Sequence, residues 1–248
     1  MSLPARFRLF GVPISSTSYE DIARLVAAKA YAREPLSISS LAVHGLVTAA
    51  RDPELRAIVE TFDVLAPDGH PVRWLLNRIH AQHLSDRVCG TDLMETLCAM
   101  CAAKGIGIYL YGSTLSVNSG LHRALEARFP NLRICGSEPS LFRPLTAGED
   151  DALVERIHVS GAGVVFLGLG CPLQERFAHA HRHMLTPVQV CVGAAFDFLS
   201  GNKRRAPRWM QARGLEWIHR TLQEPRRLWW RYLSTNTGLL WLLICHRW

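Results

Sequence analysis

The sequence predicts an α/β fold: a mainly parallel sheet with helices on both faces, followed by a basic, Trp-rich helical C-terminal appendage. Three observations carry this reading. Short apolar runs alternate with helix-period segments from residue 7 to about 200, the pattern of strand–helix–strand crossovers. Two of the runs, around Ile106–Ser113 and Val164–Gln174, end in glycine just where a helix begins. The alternation then stops, and residues 203–248 read as helices only. The expected division is 1–202 and 203–248, within reach of a 248-residue chain that is 48% hydrophobic.

Charge supports the same boundary. Residues 203–248 hold ten Lys/Arg and two Glu, a net +8, while the whole chain is +7, which leaves residues 1–202 at −1. Six of the seven tryptophans (209, 217, 229, 230, 241 and 248) also lie there. Such a tail suits an anionic partner. The first residues lack an apolar core, so no signal peptide is expected. No run approaches the ~20 apolar residues of a membrane span, and a cytosolic or peripheral protein is expected. The seven cysteines sit mostly in apolar surroundings, and Cys98-x-x-Cys101 has no second pair for zinc, so both read as reduced core thiols.

Taken in order, residues 7–12 predict a strand, and Ser16 to Ser18 the cap of a helix running to about Arg33. Leu36 to Val43 reads as a strand, followed by helices over 44–50 and 52–61, the second with Pro53 at its first position. Phe62 to Ala66 is a buried strand ending at Pro67-Asp68-Gly69. Ligands of open α/β sheets bind outside the carboxyl ends of strands, so Asp68 is a candidate general base, although the residues alone favour a helix cap. Arg87, in the loop before a helix capped by Thr91 or Asp92, reads as a solvated charge or as an anion clamp. The turn at Gly112 opens a helix start that can receive phosphate, or merely a helix packed on the sheet. Strand 131–135 and helix 149–160 follow.

Gly168-Leu169-Gly170-Cys171-Pro172-Leu173-Gln174 is the second such turn, with Pro172 as first helical residue and the Gln174 amide directed into the crevice. His179 and His183 share a helical face, which reads as an exposed polar face ahead of a metal pair, since no acidic third ligand is near. After the strand Val188 to Val192, Asp197 stands among apolar neighbours as a structural hydrogen-bonding residue or a second catalytic candidate. The tail predicts helices over 208–223 and 226–244. Basic helices rich in Trp suit an anionic lipid surface.

With these residues in view, the chain resembles the WecG/TagA/CpsF family of bacterial glycosyltransferases. The carrying pieces are Arg51-Asp52-Pro53-Glu54-Leu55, Ala66-Pro67-Asp68-Gly69, Arg87-Val88-x-Gly90-x-Asp92-Leu93 and Gly168-x-Gly170-x-Pro172-x-Gln174-Glu175. Gly193-x-x-Phe196-Asp197-Phe198-x-x-Gly201, Arg205-Ala206-Pro207, Gly214-Leu215-Glu216-Trp217 and Gln223-Glu224-Pro225-Arg226-Arg227 follow in family order. The resemblance implies a Rossmann-like domain with a membrane-docking appendage, on the cytoplasmic face of the bacterial plasma membrane. It implies inverting transfer of a sugar from a UDP-sugar to a polyprenyl-diphosphate-linked acceptor for surface polysaccharide. The family's base corresponds to Asp68, and its pocket Arg and Gln to Arg87 and Gln174. Its strand-end Thr-x-Asn is Ser40-Leu41-Ala42 here, which keeps a hydroxyl and loses an amide. Its tail arginines correspond to Arg220 and Arg227, with Arg231 nearby. The donor is expected to be of the N-acetylmannosamine, uronate or glucose type, and a homo-oligomer is compatible with the resemblance.

The chemistry agrees. Departing UDP develops negative charge, which many glycosyltransferases neutralise with a metal held by Asp-x-Asp. This sequence has no Asp-x-Asp, so no metal cofactor is expected, and helix N-termini and arginines take the role. Two rival readings fit less well. A nicotinamide oxidoreductase would need a third glycine where Leu173 stands, and an acid where Val188 and Val190 stand. A nucleic-acid-binding protein would use the tail's Trp and Arg, but no nucleic-acid motif appears, and no nucleic-acid partner is expected.

Overall fold

The computed structural model describes residues 2–245. Trp248, counted above with the tail tryptophans, lies outside them. The chain opens with an antiparallel hairpin, β1 (Arg6–Leu9) and β2 (Val12–Ser15). One strand was expected over 7–12. The difference lies in the two-residue turn, where Phe10 and Gly11 both take positive φ (52° and 84°). That geometry suits a tight hairpin, but Phe is not a residue that announces it. The hairpin is fastened to the sheet edge by the Ser15 hydroxyl, which accepts the Leu65 backbone N–H at 3.1 Å. The helix α1 (Tyr19–Ala32) follows, capped by Ser18 and Asp21 in a reciprocal pair.

From here single strands alternate with one or two helices. In chain order it comprises β3 (Ser37–Leu41), α2 (Val43–Arg51), α3 (Pro53–Glu60), β4 (Val64–Pro67), α4 (His70–His80), α5 (Gly90–Lys104) and β5 (Ile108–Gly112). It continues with α6 (Leu115–Arg128), β6 (Ile134–Glu138), α7 (Ala147–Val159), β7 (Val164–Gly168), α8 (Leu173–Ala180), β8 (Val188–Cys191) and α9 (Ala195–Leu199). The six strands β3 to β8 form one all-parallel sheet in the order β4-β3-β8-β7-β5-β6. The expected parallel α/β architecture is therefore the observed one. Edge strand β6 lies later than the expected 131–135, because its sequence has no two-residue period and all its residues are half-buried.

Both faces of the sheet are covered, so alternate residues of one strand enter different cores. Val164 and Phe166 of β7 join a core with α1, α5 and α6, while Val165 and Leu167 join the other with α2, α3 and α4. Cys98 and Cys101 are fully buried in the first of these. The helix after β3, α2, goes to one face; α9, after β8, goes to the other. Since β3 and β8 are neighbours, their departing chains part and leave a crevice at the carboxyl edge.

The tail contains three helices, α10 (Arg208–Ala212), α11 (Glu216–Gln223) and α12 (Pro225–Cys245). The single helix expected over 208–223 is broken after Arg213, where Gly214 takes φ 71° and turns the chain. The tail returns over the body. Leu242 and Thr235 of α12 are buried, and Gly238 lies against Val47 and Arg51 of α2. Among the described residues no helix is long and apolar enough to cross a membrane.

Close approach at the crevice floor requires small residues. A Cβ on Gly168 would lie 2.5 Å from the ring of Phe196, which is fully buried and cannot retreat. Gly168→Ala is expected to destabilise the protein by ~1–3 kcal/mol through overpacking. A lower urea midpoint at unchanged m value would register it; an unchanged midpoint would refute the close packing.

Candidate active site

The end of β4 holds Asp68 at the edge of the crevice. Its backbone N–H donates to Leu41 O at 3.3 Å, and Pro67 O accepts from Val88 N at 3.0 Å, so strand pairing continues past the strand. Asp68 is not a helix cap: Gly69 occupies the N-cap of α4, with no side-chain cap bond. Its carboxyl instead faces the Gly90 N–H at the start of α5, within the fields of Arg87, Glu216 and Arg220. Burial pushes its pKa up to about 6; Glu216 adds to the rise, while Arg87, Arg220 and the Gly90 N–H oppose it. A carboxyl raised this far is a stronger base than a solvated Asp and is still mostly ionised above neutral pH.

Arg87 is buried, contrary to its reading as a solvated charge, and pairs with Glu216 of α11. Burial works against its charge, but the Glu216 carboxylate outweighs that and holds the guanidinium pKa above its usual value. Asp92 does not cap α5; Cys89 occupies the cap position without a side-chain bond. Asp92 receives both terminal nitrogens of Arg205 at 2.5 Å, tying the start of the tail to the body.

Around the crevice, the Ser40 hydroxyl at the end of β3 is buried with no hydrogen-bond partner among the described residues. Two residues on, Ala42 is the N-cap of α2 and offers no side chain to it. His44, in the first turn of α2, has its pKa pushed down to about 4 by burial and by Arg231, and its Nδ1 lies 3.3 Å from the Thr235 hydroxyl. On the opposite wall Gly112 and Gly168 bring the backbones of β5 and β7 together, and Gly170 begins the turn into α8. Pro172 is the N-cap of α8 and not its first residue. Gln174 is buried in the first turn of α8, beside Gly193. Helices α2, α4, α8 and α9, each entered directly from a sheet strand, all lack a side-chain cap. At α8 and α9 backbone carbonyls take the N–H groups of Gln174, Ala195 and Phe196 instead, so the starts of α2 and α4 are the ones that offer N–H groups to a ligand.

The tail supplies cations. Arg220 lies 5.6 Å above the Phe198 ring and acts on Asp68. Arg227 bonds Glu224 at 2.8 Å. Arg231 is half-buried without a carboxylate partner among the described residues, and its pKa is lowered by burial and by Arg227 and Arg220. Its charge also acts on Cys171 of the β7–α8 turn and on His44, so Arg220 and Arg231 reach the crevice, while Arg227 stays on Glu224 and is largely exposed. Asp197 is not gathered there. Its carboxylate accepts from Asn202 at 2.8 Å and lies 3.5 Å from Lys203, in keeping with the structural reading. The expected His179–His183 face is absent, because α8 ends at Ala180; His181 turns inward to Asp150 at 3.0 Å.

Sequence reasoning missed Glu216 and Glu175. The first stands in a quoted motif, Gly214-Leu215-Glu216-Trp217, and is one of two acids in a strongly basic tail. The second follows Gln174 in a quoted motif, and is fully buried.

The chain matches the glycosyl transferase WecG/TagA/CpsF family over residues 7–248. It is 31% identical over 187 residues, 75% of this chain and 70% of the other, to the N-acetylglucosaminyldiphosphoundecaprenol N-acetyl-beta-D-mannosaminyltransferase of Bacillus subtilis (strain 168).

A raised Asp68 pKa costs stability wherever the carboxyl is ionised in the folded protein. Protonation relieves that cost, so it is absent below pH 4 and fully present above pH 6. Asp68→Asn is therefore expected to match the wild type in urea unfolding at pH 4. At pH 8 it should be the more stable by ~1–2 kcal/mol, a discounted figure because the residue keeps some exposed surface. Equal stability at both pH values would mean an ordinary carboxyl.

Proposed function

The chain belongs to the WecG/TagA/CpsF family and is a glycosyltransferase, and from that premise we propose that it transfers a sugar from a UDP-sugar, with inversion, to a polyprenyl-diphosphate-linked acceptor sugar. The similar Bacillus subtilis protein is named for an N-acetylglucosaminyl-diphosphoundecaprenol acceptor and an N-acetylmannosaminyl group, which makes that pair the first to test. The observation that carries the reading is the placement of one basic carboxyl, Asp68, and two tail arginines, Arg220 and Arg231, at a crevice walled by helix N-termini without side-chain caps.

In this reading the acceptor hydroxyl attacks the anomeric carbon on the face opposite the nucleotide. A glycosidic C–O bond forms, the C–O bond to UDP breaks, and the hydroxyl proton passes to the Asp68 carboxylate. The diphosphate takes the electron pair of the broken bond. Arg220 and Arg231, together with the N–H groups at the starts of α2 and α4, stabilise that charge in a partly dry site. No metal is needed for this neutralisation. Arg87 is already matched by Glu216, so its role here is to hold α11 over the site while Arg231 meets the anion. Ser40, Gly112, Gly168, Gly170 and Gln174 line the sugar-nucleotide side.

We further propose residues 203–248 as the membrane-docking unit, working at the cytoplasmic face. Trp209, Trp217, Trp229, Trp230 and Trp241 are all more than 40% exposed, alongside Leu222, Leu240 and Ile244. Indole rings beside arginines suit the headgroup layer of an anionic bilayer.

Transfer from a panel of UDP-sugars to a polyprenyl-diphosphate-linked sugar in vesicles, with chelator present, is expected to succeed for one donor. Asp68→Asn should lose roughly 100-fold or more in kcat/KM, Arg231→Ala should lose the same order, and the wild-type rate should rise with pH through about 6. Activity of Asp68→Asn near the wild-type level would remove Asp68 as the base. Loss of transfer on chelation would remove the metal-free reading. Trp229→Ser/Trp230→Ser is expected to weaken sedimentation with phosphatidylglycerol vesicles while preserving the melting temperature.

A further inference from the structure

The first turn of α8 contains a buried hydrogen-bonded group that the reading above leaves unused. Glu175 is fully buried, and its Oε1 accepts two hydrogen bonds: from the Ser39 hydroxyl at 2.8 Å and from the Gln174 amide nitrogen at 2.9 Å. Oε1 is an acceptor in both bonds, while Glu175 Oε2 has no partner among the described residues, so the side chain of Gln174 has one orientation. Its NH2 must face Glu175, and its Oε1 must face away. That Oε1 is buried and has no partner among the described residues. It lies where a Cβ on Gly193 would stand 3.3 Å from it, at the start of the chain leaving β8. A buried acceptor without a partner is costly, and this one borders the crevice.

We infer that Glu175 is a positioning residue, which locks the Gln174 amide so that a carbonyl oxygen, and not an NH2, is presented to the bound sugar nucleotide. The inference rests on the sugar-nucleotide reading of the crevice. It specifies the complementary chemistry: the ligand places a hydrogen-bond donor, a hydroxyl of the sugar or the imide N–H of the base, against Gln174 Oε1. An unlocked amide is free to turn its NH2 toward the crevice and meet that donor with another donor. Gly193 is part of the device, because any side chain there would press on the amide oxygen.

Two substitutions separate positioning from mere packing. Glu175→Gln keeps an acceptor oxygen for Ser39 and Gln174. Glu175→Leu fills similar space without one. Glu175→Leu is expected to raise KM for the sugar nucleotide roughly tenfold, the worth of one lost hydrogen bond of about 1.4 kcal/mol, with kcat much less affected. Glu175→Gln should recover most of the loss. In a Gln174→Leu background the Glu175→Leu change should have no further effect on KM. If it costs the same there, Glu175 acts on the fold and the proposal fails.

A second readout is independent of turnover. The side-chain NH2 signal of Gln174 in the 15N spectrum, assigned by its loss in Gln174→Leu, should be slow to exchange in the wild type and in Glu175→Gln. It should exchange fast in Glu175→Leu. An NH2 signal indifferent to Glu175→Leu overturns the inference. Absence of transfer by the wild type, with the NH2 signal behaving as stated, would instead count against the sugar-transfer reading. Calorimetric titration with UDP and with the UDP-sugar identifies the donor group: weakening for both assigns it to the base, weakening for the UDP-sugar alone to the sugar.

Discussion

The ion pair of buried Arg87 with half-buried Glu216 is the contact on which the site depends. Arg87 belongs to the loop that follows β4 and α4; Glu216 opens α11 in the tail. Their pairing lets Arg87 leave water, which is tolerable only while Glu216 stays beside it, since a lone buried charge costs several kcal/mol. The tail is therefore bound to the carboxyl edge by a contact that opposes partial release. Arg205 on Asp92 and the packing of α12 on α2 provide two further attachments. With Arg87 matched, the unmatched positive charge at the crevice resides on tail residues, above all Arg231. Division of labour follows from this: the body provides the carboxyl and the helix N-termini, and the tail provides the cations.

Much of the fold was legible because parallel sheets announce themselves. Strands covered on both faces read as unbroken apolar runs, and β7, Val164 to Gly168, is such a run. Helix starts were clear where a side chain makes the cap, as at Ser18 and at Asp52-Pro53. They were misjudged where none does, as at Cys89 and Pro172, because an uncapped N-terminus carries no residue signal. The N-terminal hairpin was hidden for a related reason: its turn uses Phe10 at positive φ, a conformation that sequence preferences assign to Gly, Asn or Asp.

The site was legible in part. Asp68 and Gln174 could be named from strand ends, and Arg220, Arg227 and Arg231 from charge and family order. What the sequence could not supply was pairing across distance. Arg87 looked solvated because its partner is far along the chain, and Asp92 looked like a cap because Arg205 is. Glu175 was invisible as a positioning group because its meaning lies in Ser39, a strand residue remote from it, and in the side of its neighbour's amide that it occupies.

The residues that set the proton affinity of Asp68 belong to two parts of the molecule. Glu216 and Arg220 are tail residues, yet each acts on the carboxyl at the end of β4. Moving the tail therefore changes how tightly Asp68 holds a proton, and by thermodynamic reciprocity protonating Asp68 changes how firmly the tail is seated. Ambient acidity and the seating of α11 are two handles on a single equilibrium, although neither tail residue ever needs to exchange a proton itself.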